Sequence, residues 1–194
     1  MTETAPRTPG AGEEPASGAL ASGDDHLHPH VLVLCTGNAA RSVMAGALLD
    51  AHGIRARVTT AGTHVVEHQP MSVRTRKALT SIGVDVPAHR SRQVVESDVE
   101  AADLVIALAS EHVRYMRRRH PAAADRTATL SWLAHNLPPG QKPLSERVRP
   151  LGLAELDPDF QGDVEDPAGG DDDEYLECAL EVQRLVGELV ERLV

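Results

Sequence analysis

Apolar residues recur along this chain in a fixed order: a short continuous run, a loop of turn-forming residues, then a stretch with three- and four-residue spacing. Residues 30–34 (His-Val-Leu-Val-Leu) are apolar without alternation, the mark of a strand covered on both faces. Over 41–52, Met44, Ala45, Leu48 and Leu49 repeat at helical spacing, and Gly53 supplies the stop. A second strand is predicted at 55–60, a turn at Ala61-Gly62-Thr63, and a helix at 72–82 ended by Gly83. A short helix at 96–101 and a buried strand at 103–107 follow. Ser110 is placed to cap a helix that runs to Arg119 and is closed by Pro121. A fourth strand at 127–130 and a helix at 131–136 continue the alternation. This order predicts an α/β fold, a three-layer sandwich whose four-stranded parallel sheet is flanked by helices through right-handed crossovers.

Two regions depart from the pattern. Residues 1–28 are rich in Gly, Pro, Ala, Ser, Thr and Glu without periodicity, and are expected to be disordered because they bury too little apolar surface to offset chain entropy. The remainder, 29–194, is then one domain. Within it 137–165 reads as a long loop, marked by Pro138-Pro139-Gly140 and Asp157-Pro158-Asp159, with a short helix near 145–148. From 171 a last helix runs to the end, its apolar stripe traced by Leu176, Ala179, Leu180, Val182, Val186, Leu189 and Leu193. Asp171, Asp172, Asp173 and Glu174 sit at its electropositive start.

Composition sharpens this picture in three ways. Aromatics make up only 2% of the 194 residues, so Val, Leu, Ala and Ile must fill the core. No apolar run is long enough to span a bilayer, no signal peptide is evident, and two cysteines (Cys35, Cys178) make no disulfide framework; a reducing, cytoplasmic setting is expected. The formal charge of -10 is unevenly distributed: bases outnumber acids over 30–154, whereas 155–177 carries eleven acids and no base. A basic body with an acidic flap fits a small anionic group held locally and argues against nucleic acid as a partner. Four arginines at 114, 117, 118 and 119 read as a solvated helix face. His26, His28 and His30 alternate, but beside Asp24 and Asp25 and without a second ligand set they predict no metal site.

The chemistry concentrates where the first strand meets the first helix. Cys35 ends the strand, five residues separate it from Arg41, and Ser42 follows as the helix begins. Backbone N–H groups of residues 36–41 can converge as an anion nest, and the helix N-terminus adds positive potential. Both favour the thiolate form of the sulfur and so its nucleophilicity. Arg41 can hold two phosphate oxygens in a bidentate grip that lysine lacks. Gly37 permits the tight turn, and Ser42 can donate to the sulfur.

Cys35-Thr36-Gly37-Asn38-Ala39-Ala40-Arg41-Ser42-Val43-Met44-Ala45 resembles the phosphate loop of the low-molecular-weight protein tyrosine phosphatases, a family related to thiol-coupled arsenate reductases and protein arginine phosphatases. The likeness continues through Thr60-Ala61-Gly62-Thr63, His89-Arg90-Ser91-Arg92-Gln93 and the strand at 103–107, and ends at Asp166-Pro167-Ala168-Gly169-Gly170. The resemblance implies that Cys35 attacks phosphorus and that Arg41, with Thr36, Gly37, Asn38, Ala39, Ala40 and Ser42, holds the phosphoryl oxygens. It implies that Asp166 acts as acid and then as base. Asn38 braces the loop, with Thr60 (usually serine in the family) and His89 behind it. No cofactor or metal is implied, and the partner is a phosphorylated protein or small molecule.

Several positions differ from the family's usual pattern. Ala40 stands where a second cysteine is common, Ala39 where Ile or Thr is, Val43 where proline is, and Ala168 where an aromatic usually packs against the substrate ring. Trp132, Tyr175 and Phe160 are the aromatic candidates for that wall, each with core packing as its alternative. The expected function is hydrolysis of phosphomonoesters, foremost protein phosphotyrosine, through a phosphocysteine. The alternatives are arsenate reduction with an external thiol and phosphate binding without turnover. Cys178, on a helix, is expected to be a packed side chain.

Overall fold

The two strands without hydrophobic alternation take the interior of the sheet. In a computed structural model, which describes Met1, residues 28–86 and residues 88–193, β1 (His30–Cys35) and β3 (Leu104–Ala107) are fully buried. They are flanked by β2 (Arg57–Gly62), whose first residue is exposed, and by the three-residue β4 (Thr127–Thr129). The order is β2-β1-β3-β4 and every pairing is parallel. The predicted tail at 1–28, with His26, lies almost wholly outside the described residues.

Helices cover both faces. Val31, Val33 and Cys35 turn to one side, where they meet α1 (Arg41–Ala51), α2 (Val73–Ser81), α5 (Leu130–Asn136), α6 (Leu144–Val148) and α7 (Asp172–Leu193). Leu32 and Leu34 turn to the other, against Val99 of α3 (Glu96–Ala101) and Met116 of α4 (Ser110–Arg119). Each large apolar side chain buried this way contributes about 1.5–3 kcal/mol, so the core stands without the aromatics the sequence lacks. This is the predicted three-layer α/β sandwich, with the Cys35 loop between β1 and α1. Among the described residues, no helix is long and apolar enough to cross a membrane.

Element edges shift where side-chain chemistry outweighs pattern. The second strand starts and ends two residues later than predicted, because Arg57 to Gly62 pair in register with His30 to Cys35. Ser110 is the first helical residue of α4 rather than its cap; its N–H and hydroxyl are instead engaged by the Asp163 carboxylate, at 2.7 and 3.2 Å. The stripe of α7 runs through Tyr175, Cys178, Ala179, Val182, Leu185, Val186 and Leu189, while Leu180, one step off it, is 49% exposed. Asp171 accepts from the N–H groups of Asp173 and Glu174, and Glu174 accepts from that of Asp171, a capping box that starts α7. His30 is buried, with Nε2 2.7 Å from the Thr59 hydroxyl, and is no part of a solvated histidine tail.

The 137–165 stretch carries more structure than its sequence announces. Besides α6 it forms 3₁₀ turns at Arg149–Leu151 and Pro158–Phe160, and Leu144, Val148, Leu153 and Val164 enter the main core. Its end crosses the C-terminal edge of the sheet. Gln161 grips the main chain and hydroxyl of Thr129, and the Val164 N–H bonds to the Leu108 carbonyl. The chain thereby delivers residues 165 and 166 to the end of β1, the edge where parallel sheets bind ligands.

Gly62, opposite Cys35 in the ladder, is required for close approach. A Cβ there would lie 2.5 Å from the Thr36 carbonyl oxygen and 3.0 Å from the Asn38 nitrogen, both backbone atoms that cannot rotate away. Gly62→Ala is expected to cost about 1–3 kcal/mol in chemical denaturation by overpacking.

Candidate active site

The loop after β1 turns its carbonyls outward. Those of Cys35 and Thr36 accept from the Thr63 and His64 N–H groups at 3.0 Å. That of Ala39 accepts from the Ser72 N–H and the Thr75 hydroxyl, and that of Asn38 from His89 Nε2 at 2.7 Å. The N–H groups of residues 37–40 donate to no protein acceptor among the described residues. The first turn of α1 has no side-chain cap at Ala40 and no acid. Free amides and an uncapped helix start are what an anion-binding loop requires.

Asn38 holds this shape from below. Its backbone is left-handed (φ 51°), a conformation asparagine tolerates better than most residues, and its side chain is fully buried. The amide donates to Ser42 Oγ and Thr60 Oγ1, both at 3.0 Å, and its oxygen accepts from the Arg92 N–H at 3.1 Å. Because Asn38 donates into the Ser42 oxygen, the Ser42 hydroxyl proton is free to point at Cys35 Sγ, 3.0 Å away. Burial pulls His89 below the ordinary histidine range, the bond to Asn38 opposing that only in part, so the neutral ring donates to the Asn38 carbonyl. Asn38→Ala removes three side-chain bonds and leaves a left-handed alanine. A loss of about 2–4 kcal/mol is expected, read as a lowered urea midpoint.

Arg41 and Asp166 meet above the nest. The Arg41 guanidinium is 4% exposed, with Nη1 3.2 Å from the Val164 carbonyl and Nη2 3.3 Å from Thr36 Oγ1 and 2.5 Å from Asp166 Oδ2. The other Asp166 oxygen accepts from the Ala168 N–H at 3.1 Å, and Gly170 closes the turn on the Pro167 carbonyl. Asp166 itself is 43% exposed, so one carboxylate links a buried cation to the mouth of the site. Arg41 and Asp166 are thus in direct contact beside the loop that starts at Cys35, and Thr60 and His89 bond to the side chain and carbonyl of Asn38 in that loop. Such a group can hold a tetrahedral oxyanion near a thiol, with a carboxyl bonded to the same guanidinium.

Reading the sequence did not single out His112. It is 1% exposed, with Nε2 3.0 Å from Thr36 Oγ1, so Thr36 joins Arg41, Glu111 and His112 at one hydroxyl. Its only signal was a histidine on the stripe of α4 that also buries Val113 and Met116. Burial first and the Arg41 charge second push its pKa down to about 4, against the opposing carboxylates of Glu111, Asp166 and Asp163. A folded-state value below the unfolded 6.5 means that the unfolded chain binds the proton first. Stability is therefore full above pH 6.5 and falls as pH drops toward about 4, by up to about 1.4 kcal/mol per pH unit from this group. In a pH series of urea denaturations, His112→Gln is expected to show a shallower acid decline than wild type.

Cys178 packs in the core, and burial drives its thiol up to about 12; the sulfur lies 3.7 Å from the Glu165 carbonyl. Tyr175 is core, Trp132 packs against the core, and Phe160 is 86% exposed. The aromatic ring beside the loop is Tyr115, edge-on to His64 at 5.7 Å.

These features agree with known proteins. The chain belongs to the family described as low molecular weight phosphotyrosine protein phosphatase, whose model matches residues 30–194. A protein-arginine-phosphatase of Geobacillus stearothermophilus is 30% identical over 164 residues, covering 84% of this chain and 95% of that protein. The solved structure of the YwlE arginine phosphatase from the same organism superposes with a TM-score of 0.70 over 85% of this chain and 92% of its own, at 30% identity. A low molecular weight protein tyrosine phosphatase from T. tengcongensis gives 0.67 over 84% and 98%, also at 30%. The protein is accordingly a hydrolase of the cysteine-based phosphatase class that acts on phosphorylated substrates.

Proposed function

We propose that this phosphatase dephosphorylates protein phosphotyrosine through a phosphocysteine at Cys35. The observation that carries the reading is the convergence of the Cys35 sulfur, the buried Arg41 guanidinium and the Asp166 carboxylate on one loop of free amides. In the first step the Cys35 thiolate forms the S–P bond as the P–O bond to the leaving group breaks, and protonated Asp166 delivers its proton to that oxygen. Arg41 and the amides of residues 36–41 hold the non-bridging oxygens, with Ser42 supporting the sulfur. The Arg41–Asp166 contact opens as phosphate oxygens take over the guanidinium. In the second step the Asp166 carboxylate takes a proton from water, whose oxygen attacks phosphorus, releasing inorganic phosphate and restoring the thiolate. Phosphotyrosine as substrate is supported by the family's description.

A second substrate, phosphoarginine, is favoured by the acidic cavity next to Asp166. Its volume is about 360 Å³, and Glu165, Glu174, Glu177 and Glu181 line it, a setting that suits a guanidinium leaving group. An arsenate reductase that resolves its intermediate internally is disfavoured, because Cys178 stays protonated and packed. Matched peptides carrying phosphotyrosine, phosphoarginine or phosphoserine decide the substrate. At least tenfold higher kcat/KM for phosphotyrosine is expected, and a preference for phosphoarginine would replace it with the second reading. Arsenate-dependent thiol consumption without peptide hydrolysis would overturn both.

A further inference from the structure

The four arginines of α4 divide into two pairs. Arg114 contacts Asp159 and the Ser110 hydroxyl, and Arg117 Nη2 donates to the carbonyls of Leu153 and Leu156. Both are spent on anchoring the segment that leads to Asp166. Arg118 and Arg119 are exposed, and neither has an ion-pair or hydrogen-bond partner among the described residues. They line a cavity of about 370 Å³ with Thr63, His64 and Tyr115.

This cavity adjoins the phosphate loop and shares no lining residue with the acidic cavity at Asp166. Thr63 and His64 are bonded through their N–H groups to the Cys35 and Thr36 carbonyls, so the cavity wall is continuous with the loop. Gln93 donates to the Thr63 carbonyl at 2.8 Å and to the Tyr115 hydroxyl at 3.4 Å, tying the strand end to the helix. On α4, Glu111 contacts the Thr36 hydroxyl, and positions 115, 118 and 119 follow it on the same face. At 1.5 Å per residue the two arginines lie about 10 Å along the helix from Thr36. An extended peptide covers that distance in about three residues. The cavity's own lining holds two arginines and no acid, while Glu111, two turns back on the same helix face, directs its carboxylate to the Thr36 hydroxyl.

We propose that this cavity is a substrate subsite for an anionic side chain, a carboxylate or a second phosphate, about three residues from the phosphorylated residue of a protein substrate. The inference rests on the phosphoprotein reading above. The separate acidic cavity, lined by Glu165, Asp166, Glu174, Glu177 and Glu181, repels such a group, so the two cavities differ in sign and a bound peptide has one favoured direction. The Tyr115 and His64 rings supply walls against which the arginines and the peptide can pack.

The test measures fluorescence anisotropy with the Cys35→Ser protein, so that binding is read without turnover. Labelled phosphotyrosine peptides carry alanine, glutamate three positions before, glutamate three positions after, or a second phosphotyrosine at the favoured position. One glutamate placement is expected to bind about fivefold tighter than alanine at low salt, and the doubly phosphorylated peptide tighter still; the advantage fades at roughly 0.5 M salt. Arg118→Ala with Arg119→Ala removes the advantage, and Arg118→Glu with Arg119→Glu turns it into a preference for alanine. Equal affinity for all peptides, a parallel loss for acidic and neutral peptides in the double variants, or no binding of any phosphopeptide overturns the subsite. Failure of the phosphatase reading is separate: it shows as wild-type protein that does not hydrolyse p-nitrophenyl phosphate.

Discussion

Cys35→Ser is expected to lower kcat on every phosphorylated substrate by a factor on the order of 10⁴ or more while phosphate binding persists. The serine oxygen keeps its place over the nest and its neighbour Ser42, 3.0 Å from the sulfur in the native protein, but not the sulfur's readiness to ionise. The oxyanion-binding amides and Arg41 remain, so inorganic phosphate should still inhibit or bind with little change in Kd. Loss of a nucleophile that works as a unit with its neighbours typically removes most of the catalysed rate. Steady-state kinetics beside calorimetric phosphate binding separates the two effects. Turnover within tenfold of wild type would remove Cys35 from the mechanism.

Asp166→Asn is the second large effect, and its size should depend on the leaving group. A positioned acid is worth about 10²–10⁴ in rate when the departing oxygen is basic. Phenyl phosphate, with a poor leaving group, should lose close to the full factor, and p-nitrophenyl phosphate much less in its first step. The Asn oxygen can still accept from the Ala168 N–H, which lies 3.1 Å from one Asp166 oxygen, so the turn should survive, while the amide NH2 cannot accept from the Arg41 guanidinium and that contact is lost. An equal drop for both esters would mean that Asp166 acts through Arg41 and not as the proton donor.

The features most legible in the sequence were those set by local rules. Uninterrupted apolar runs identify the two interior strands, and Cys35, five intervening residues, Arg41 and Ser42 mark the loop between β1 and α1, because strand, tight turn and helix start are contiguous in the chain. Asp166 lies 125 positions from Arg41 and was recognised only from its Asp-Pro-x-Gly-Gly setting by resemblance; nothing in its own spacing distinguished it from the surrounding acids.

What stayed hidden depends on contacts between distant segments. Asp163 takes the capping role expected of Ser110, and only the crossing of 161–166 over the sheet edge brings it there. His112 is one polar residue on an apolar stripe until the fold sets it on Thr36. The split of the α4 arginines into two anchors and two free cations likewise needs the 153–160 segment in place. Leu180 is as apolar as its neighbours, but a one-residue offset from the α7 stripe leaves it exposed.

The central claim is that the reaction passes through a phosphoryl group on Cys35. Asp166→Asn slows the second step, so mixing this variant with p-nitrophenyl phosphate and quenching within milliseconds should trap the intermediate. The account predicts a mass increase of one phosphoryl group on the peptide containing Cys35, appearing together with a burst of p-nitrophenol close to one equivalent of enzyme. A phosphoryl group on another residue, or nitrophenol release from enzyme that never carries phosphate, would contradict it.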